Sequence, residues 1–112
     1  MLNSVLVGFK RSPFTLARKG DLSNVRPEDI LSQVINDLVK TTNINKDDIE
    51  DIIAGCAYPE GAQGYNIAKI VSFMTGMPEH VGGMTINRWC GSSMQAIHSA
   101  AGAISMNAGK VF

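Results

Sequence analysis

Of the two cysteines and two histidines in this chain, Cys90 is the one placed for chemistry. The stretch Met84–Cys90 reads as a buried strand, and Gly91–Met106 as the helix of small residues that follows it directly. A thiol at such a junction faces unpaired backbone N–H groups and the positive end of the helix dipole. Both favour the thiolate, which is the nucleophilic form of cysteine. The chemistry expected is covalent: the sulfur attacks a carbonyl and carries an acyl group as a thioester.

A helix dipole contributes only about 0.3–1 kcal/mol, so an efficient nucleophile at this position needs a partner base, normally histidine. His98 lies eight residues along the same helix, about 12 Å away at 1.5 Å per residue. His80 falls in the loop before the strand. Neither is placed to serve, and the base is expected outside this sequence. The backbone N–H of Cys90, with Gly91 close behind it, is expected to donate to an oxyanion at the attacked carbonyl. Asn87 and Arg88 are expected to shape the cysteine loop or a subunit contact rather than to touch substrate.

Other residues that invite a functional reading have simpler ones. Cys56 continues an apolar strand among small residues and reads as a core thiol. Met74, Met77, Met84 and Met94 read as core and lining. Lys69 reads as an exposed helix lysine in preference to a phosphate ligand. The glycines at 55, 61 and 64 lack the Lys-Ser/Thr of a phosphate loop. No His, Cys and carboxylate cluster has metal-ligand spacing, so no metal is expected.

The elements that must position Cys90 alternate along the chain. Ser4–Phe9 is an apolar, partly β-branched run ended by Ser12-Pro13, and predicts a first strand. Thr15–Val25 reads as a surface loop. Pro27 suits a first helical position, with Glu28 and Asp29 in the first turn. Ile30, Leu31, Val34, Ile35, Leu38 and Val39 then repeat at helical spacing. Asn45 is placed to cap a short turn and Asn66 to cap a second helix, which Gly76 and Pro78 end. Asp51–Tyr58 predicts the second strand.

The order β-α-β-α-β-α predicts an α/β layer with a mainly parallel sheet. The last helix is apolar around its whole circumference, which calls for more cover than three strands and two helices supply. At Gly109–Phe112 a further strand is expected to begin. The chain therefore reads as part of a longer protein, or as one covered by a partner.

At 112 residues the chain is at most one domain, and 45% hydrophobic residues exclude a disordered chain. Ten basic and ten acidic side chains cancel without forming blocks, which argues against a nucleic-acid or anionic-membrane surface. No apolar stretch approaches the roughly 20 residues of a membrane span. The amino terminus lacks the pattern of a secretory signal. A reducing, cytoplasmic setting is expected, with one core thiol and one reactive thiol.

The run Asn87-Arg-Trp-Cys-Gly-Ser-Ser-Met-Gln-Ala-Ile97 resembles the amino-terminal active-site signature of thiolases, the acetyl-CoA acyltransferases. The likeness extends upstream through Arg11–Phe14, Asp48-Ile49, Gly55-Cys56 and Asn66–Lys69, and so covers essentially the whole chain. Ser93 stands where many members have glycine. The resemblance implies a thiolase-like βαβαβα layer with a mainly parallel mixed sheet, residues 1–112 being part of the amino-terminal thiolase domain.

It implies further that Cys90 is the catalytic residue. It would take the acyl group from a 3-ketoacyl-CoA, release acetyl-CoA, and pass the acyl group to free coenzyme A. Coenzyme A is thus a co-substrate, with no permanently bound cofactor, and fatty acid β-oxidation is the implied setting. Full-length members would form a homodimer or homotetramer. The activating histidine and a second cysteine belong to a carboxyl-terminal half not present here, so the isolated chain is expected to be inactive. The condensing direction, a biosynthetic acetoacetyl-CoA thiolase, is the near alternative. A non-catalytic interaction module is the distant one. Ketoacyl synthases share the fold and a helix-capping cysteine, but the Asn-Arg-Trp-Cys-Gly-Ser-Ser-Met run favours thiolases.

Overall fold

A computed structural model describes residues 4–112. Residues 1–3, part of the stretch read for a secretory signal, lie outside the described residues. Helix α1 spans Pro27–Thr42, strand β1 Asp51–Gly55, helix α2 Ile67–Met74, strand β2 Gly82–Ile86 and helix α3 Ser92–Ser105. Short 3₁₀ turns at Lys46–Asp48 and Gly61–Gln63 precede β1 and α2.

The local chemistry of the helices follows the sequence closely. Pro27 opens α1 with Glu28 and Asp29 in its first turn, and Asn43 closes it in the left-handed conformation at φ 55°. Asn45 accepts from the Asp47 N–H at the turn before β1. Asn66 accepts from the Lys69 N–H at the start of α2. Asn66 also reaches the neighbouring strand: its amide donates to the Gly83 carbonyl at 2.6 Å and its oxygen accepts from the Thr85 hydroxyl at 2.8 Å. One side chain thus both caps α2 and fastens it to β2.

Strands β1 and β2 pair in parallel, Asp51 opposite Gly82 and Gly55 opposite Ile86, with α2 as the crossover between them. A side chain at Gly83 would fall 2.4 Å from the Lys69 Cα, so α2 lies directly on the strand backbone. Two apolar clusters hold the layers together. One gathers Ile49, Met77 and Val81 against Ile35, Val39 and Ile52; the other gathers Cys56, Ile67 and Val71 against Leu31 and Ile35. Ile35 of α1 joins the two, as its place on the predicted apolar face requires.

Three expectations fail. The described sheet has two strands, because Ser4–Phe9 pairs with none. The segment runs along the end of α1 instead, where Gly8 abuts Thr42 and Lys10 pairs with Asp37 at 2.7 Å. Val5, Leu6, Val7 and Phe9 are left exposed, Phe9 at 85%. A β-branched run becomes a strand only where a neighbour offers a ladder, and propensity alone does not supply one. Secondly, Gly109–Phe112 forms no strand among the described residues. The Val111 carbonyl accepts from Glu50 N–H at 3.0 Å, and its side chain joins the first apolar cluster beside the start of β1. Thirdly, of the four methionines read as core and lining, Met77 alone is buried among the described residues; Met74, Met84 and Met94 are exposed.

The last helix is left open, as its composition predicted. Ser92 and Ala96 are its buried residues, while Met94 and Ile97 are exposed and the space beside Gly102 is empty.

Candidate functional site

The chain leaves β2 at Ile86 and enters α3 at Ser92, so five residues make the whole turn. Asn87 begins it: its side-chain oxygen accepts from the Trp89 N–H at 3.0 Å. Trp89 then takes a left-handed conformation, φ 51°, which a bulky residue rarely adopts and which the surroundings must hold. The Gly91 N–H donates to the Arg88 carbonyl at 3.0 Å and the Ser92 N–H to the Trp89 carbonyl at 3.1 Å. The Arg88 guanidinium reaches forward to the Gln95 side chain on α3. Behind the turn, Tyr58 meets the Trp89 ring edge to face at 6.2 Å between centroids.

Ser92 closes the turn from beneath. Its hydroxyl accepts from the Arg88 N–H at 2.9 Å and donates to the Trp89 carbonyl at 2.6 Å, and the residue is 3% exposed. Gly55, the last residue of β1, makes room for this. A Cβ there would fall 2.3 Å from Ser93 N and 2.5 Å from the Ser92 carbonyl carbon. The mouth of α3 therefore rests on bare strand backbone.

Cys90 sits at the crest of the turn, exposed and unbonded to Cys56. Its own N–H finds no acceptor among the described residues. A thiol in that position has an open approach, a helix start behind it and a free donor on its own residue. Such an arrangement suits a sulfur that bonds a carbonyl carbon while a backbone donor meets the oxygen. Gly91 does not contribute as expected, since its N–H is spent on the Arg88 carbonyl within the turn.

The remaining sequence candidates fall into place around this turn or away from it. Asn87 and Arg88 shape it, as predicted. Cys56 is buried at 6% exposure, with its N–H on the Ile86 carbonyl and its sulfur 3.6 Å from the Gln63 side-chain oxygen. His98 is exposed on α3 and His80 exposed in the loop before β2. Lys69 is not the free lysine expected: half-buried, it donates to the Val81 carbonyl at 2.6 Å and lies over the Phe73 ring at 4.6 Å. No group of three His, Cys or carboxylate residues able to hold a metal occurs among the described residues. Ser92 is the residue that sequence reasoning missed. Its signal was there: serine beside a helix start commonly bonds the neighbouring backbone.

The family described as thiolase, N-terminal domain, matches residues 4–112. The chain belongs to the thiolase family. A 3-ketoacyl-CoA thiolase of Colwellia psychrerythraea is 40% identical over 109 residues, which is 96% of this chain and 28% of that protein. One of Aeromonas salmonicida is 39% identical over 113 residues, 100% of this chain and 29% of that protein. The chain thus spans under a third of the length of these curated relatives. Among solved structures, the Acat5 thiolase of Ascaris suum in complex with coenzyme A matches with a TM-score of 0.73 and 31% identity. That match covers 79% of this chain and 23% of the other. The two-stranded parallel sheet with its helices is accordingly a portion of the thiolase amino-terminal half.

Proposed function

We propose that the protein carrying this chain transfers acyl groups between coenzyme A thioesters, with Cys90 as the acyl acceptor. In thiolysis, the Cys90 sulfur bonds to C3 of a 3-ketoacyl-CoA and the C2–C3 bond breaks. The electron pair leaves on C2 and takes a proton to give acetyl-CoA, while the shortened acyl group stays on the sulfur. The thiol of free coenzyme A then gives up its proton, bonds to the acyl carbon and releases Cys90. The observation that carries this reading is an exposed Cys90 at the mouth of α3 with its own N–H unpartnered among the described residues. The names of the relatives and the coenzyme A bound by the Ascaris suum structure support the substrate class.

No histidine among the described residues stands beside Cys90, His98 being eight residues along the same helix. The proton acceptor belongs, in this proposal, to the length that the relatives have beyond the match. A homodimer or homotetramer is part of the same proposal: the exposed Met94 and Ile97 and the open space at Gly102 leave α3 short of cover. A cytoplasmic, reducing setting in fatty acid β-oxidation accords with two free thiols.

The test is mass spectrometry of the protein expressed from its complete gene after exposure to a 3-ketoacyl-CoA. An acyl group on Cys90, discharged by coenzyme A, is the expected result; acylation elsewhere or nowhere overturns the reading. The same preparation given acetyl-CoA alone separates cleavage from condensation by the rate at which acetoacetyl-CoA accumulates. Residues 1–112 alone should exchange no acetyl groups and should associate.

A further inference from the structure

We infer that Ser92 is a positioning residue for Cys90, acting through the backbone of the turn rather than by touching substrate; the inference rests on the acyl-transfer reading above. Trp89 holds a left-handed φ of 51° that its side chain disfavours, and relaxation of that residue would swing the crest of the turn. Two bonds from one hydroxyl oppose this. The Ser92 Oγ takes the Arg88 N–H on one side of Trp89 and gives its own hydrogen to the Trp89 carbonyl on the other, at 2.9 and 2.6 Å. The hydroxyl that makes both bonds is itself buried, Ser92 being 3% exposed, while Arg88 and Trp89 on either end of them are exposed.

The support beneath is equally confined. Gly55 brings the β1 backbone against Ser92 and Ser93 so closely that no side chain fits between. Ser92 is thus fixed to the sheet, and the turn is fixed to Ser92. Cys90 is the exposed residue at the crest between these anchors. Asn87 supplies a second, weaker tie at the other end, accepting from the Trp89 N–H at 3.0 Å from an exposed position. A sulfur already open to solvent gains no access when the turn loosens; it loses its held place at the helix start.

The experiment compares Ser92→Ala with wild type in the protein expressed from its complete gene, using iodoacetamide as the probe. Alkylation of Cys90 at neutral pH, followed by peptide mass spectrometry, should slow by about two- to fivefold, the range that a place at a helix start accounts for. Thiolysis should lose kcat by a similar factor with KM unchanged, and circular dichroism should stay that of wild type. Unchanged alkylation at Cys90 in a folded variant overturns the inference, as does a rise in KM with kcat preserved. If Ser92→Ala does not fold, Asn87→Ala at its exposed site is the deciding variant. A slower Cys90 there supports the anchored turn, and an unaltered rate overturns it. The two readings fail differently: a wild-type Cys90 that alkylates readily but never acylates counts against acyl transfer and leaves the Ser92 comparison intact.

Discussion

The turn around Cys90 and the segment Ser4–Phe9 differ in where their hydrogen-bond partners come from. The turn is held by partners within a few residues of itself. Asn87, Arg88, Gly91 and Ser92 each supply a bond, and Gly55 supplies the contact below. The amino-terminal segment has no such local supply. Its Val5, Leu6 and Val7 need a strand beside them, and none of the described strands lies there. Short-range chemistry completes itself within the chain; a ladder depends on what stands alongside.

The contrast can be broken most severely at Cys90. Cys90→Ala in the protein expressed from its complete gene should abolish acyl labelling altogether, read by intact-mass spectrometry. Persistent labelling would move the nucleophile off the turn. Gly55→Ala comes next. Its Cβ would meet the backbone of Ser92 and Ser93, which cannot rotate away as a side chain can. A loss of about 3 kcal/mol is expected by denaturant titration. A loss under about 1 kcal/mol would mean that the turn is not seated on β1 as described.

Val7→Asp in residues 1–112 should cost no more than about 0.5 kcal/mol, because Val7 is exposed and unpaired. The same change costing over about 2 kcal/mol would show that Ser4–Phe9 finds a strand neighbour in solution.

The smallest effect is expected at Asp51, at the start of β1. Burial raises its carboxyl above the ordinary aspartate value, against smaller lowering effects from the Ile52 N–H and the charge of Lys69. Between the unfolded and folded values the folded chain keeps a proton that the unfolded chain has released. The stabilisation is whole below the unfolded value and is lost as pH rises through the folded one. Asp51→Asn, neutral throughout, should therefore gain stability over wild type at neutral pH and lose that advantage in acid. Solvent screening of a partly exposed group keeps the difference small. Denaturant midpoints at both pH extremes measure it, and a gain confined to acid would reverse the assignment.

How much the sequence disclosed follows the same division between local and distant causes. Pro27, Asn45 and Asn66 announced their elements because caps act over two to four residues. The junction at Cys90 was visible in the same way, although the strand read as Met84–Cys90 runs Gly82–Ile86. Asn87–Cys90 form an exposed turn, because polar side chains and short-range bonds end the ladder early. Met74, Met84 and Met94 misled because hydrophobicity states a preference, whereas burial depends on which layers are present to cover a face. Lys69 misled for a related reason: the Val81 carbonyl it meets is twelve residues away, across the crossover. Ser92 was overlooked because its importance lies in its backbone partners, which composition does not display.

The glycine at the end of β1 has a consequence for how the protein can vary. Where two main chains touch directly, their separation is set by atomic radii that no ordinary side-chain exchange alters. Substitutions in the apolar clusters would change volume and cost stability, but a shift of β1 would carry the mouth of α3 with it rather than alter the spacing between them. The reactive atom's height over the sheet is in that sense insulated from drift in the interior.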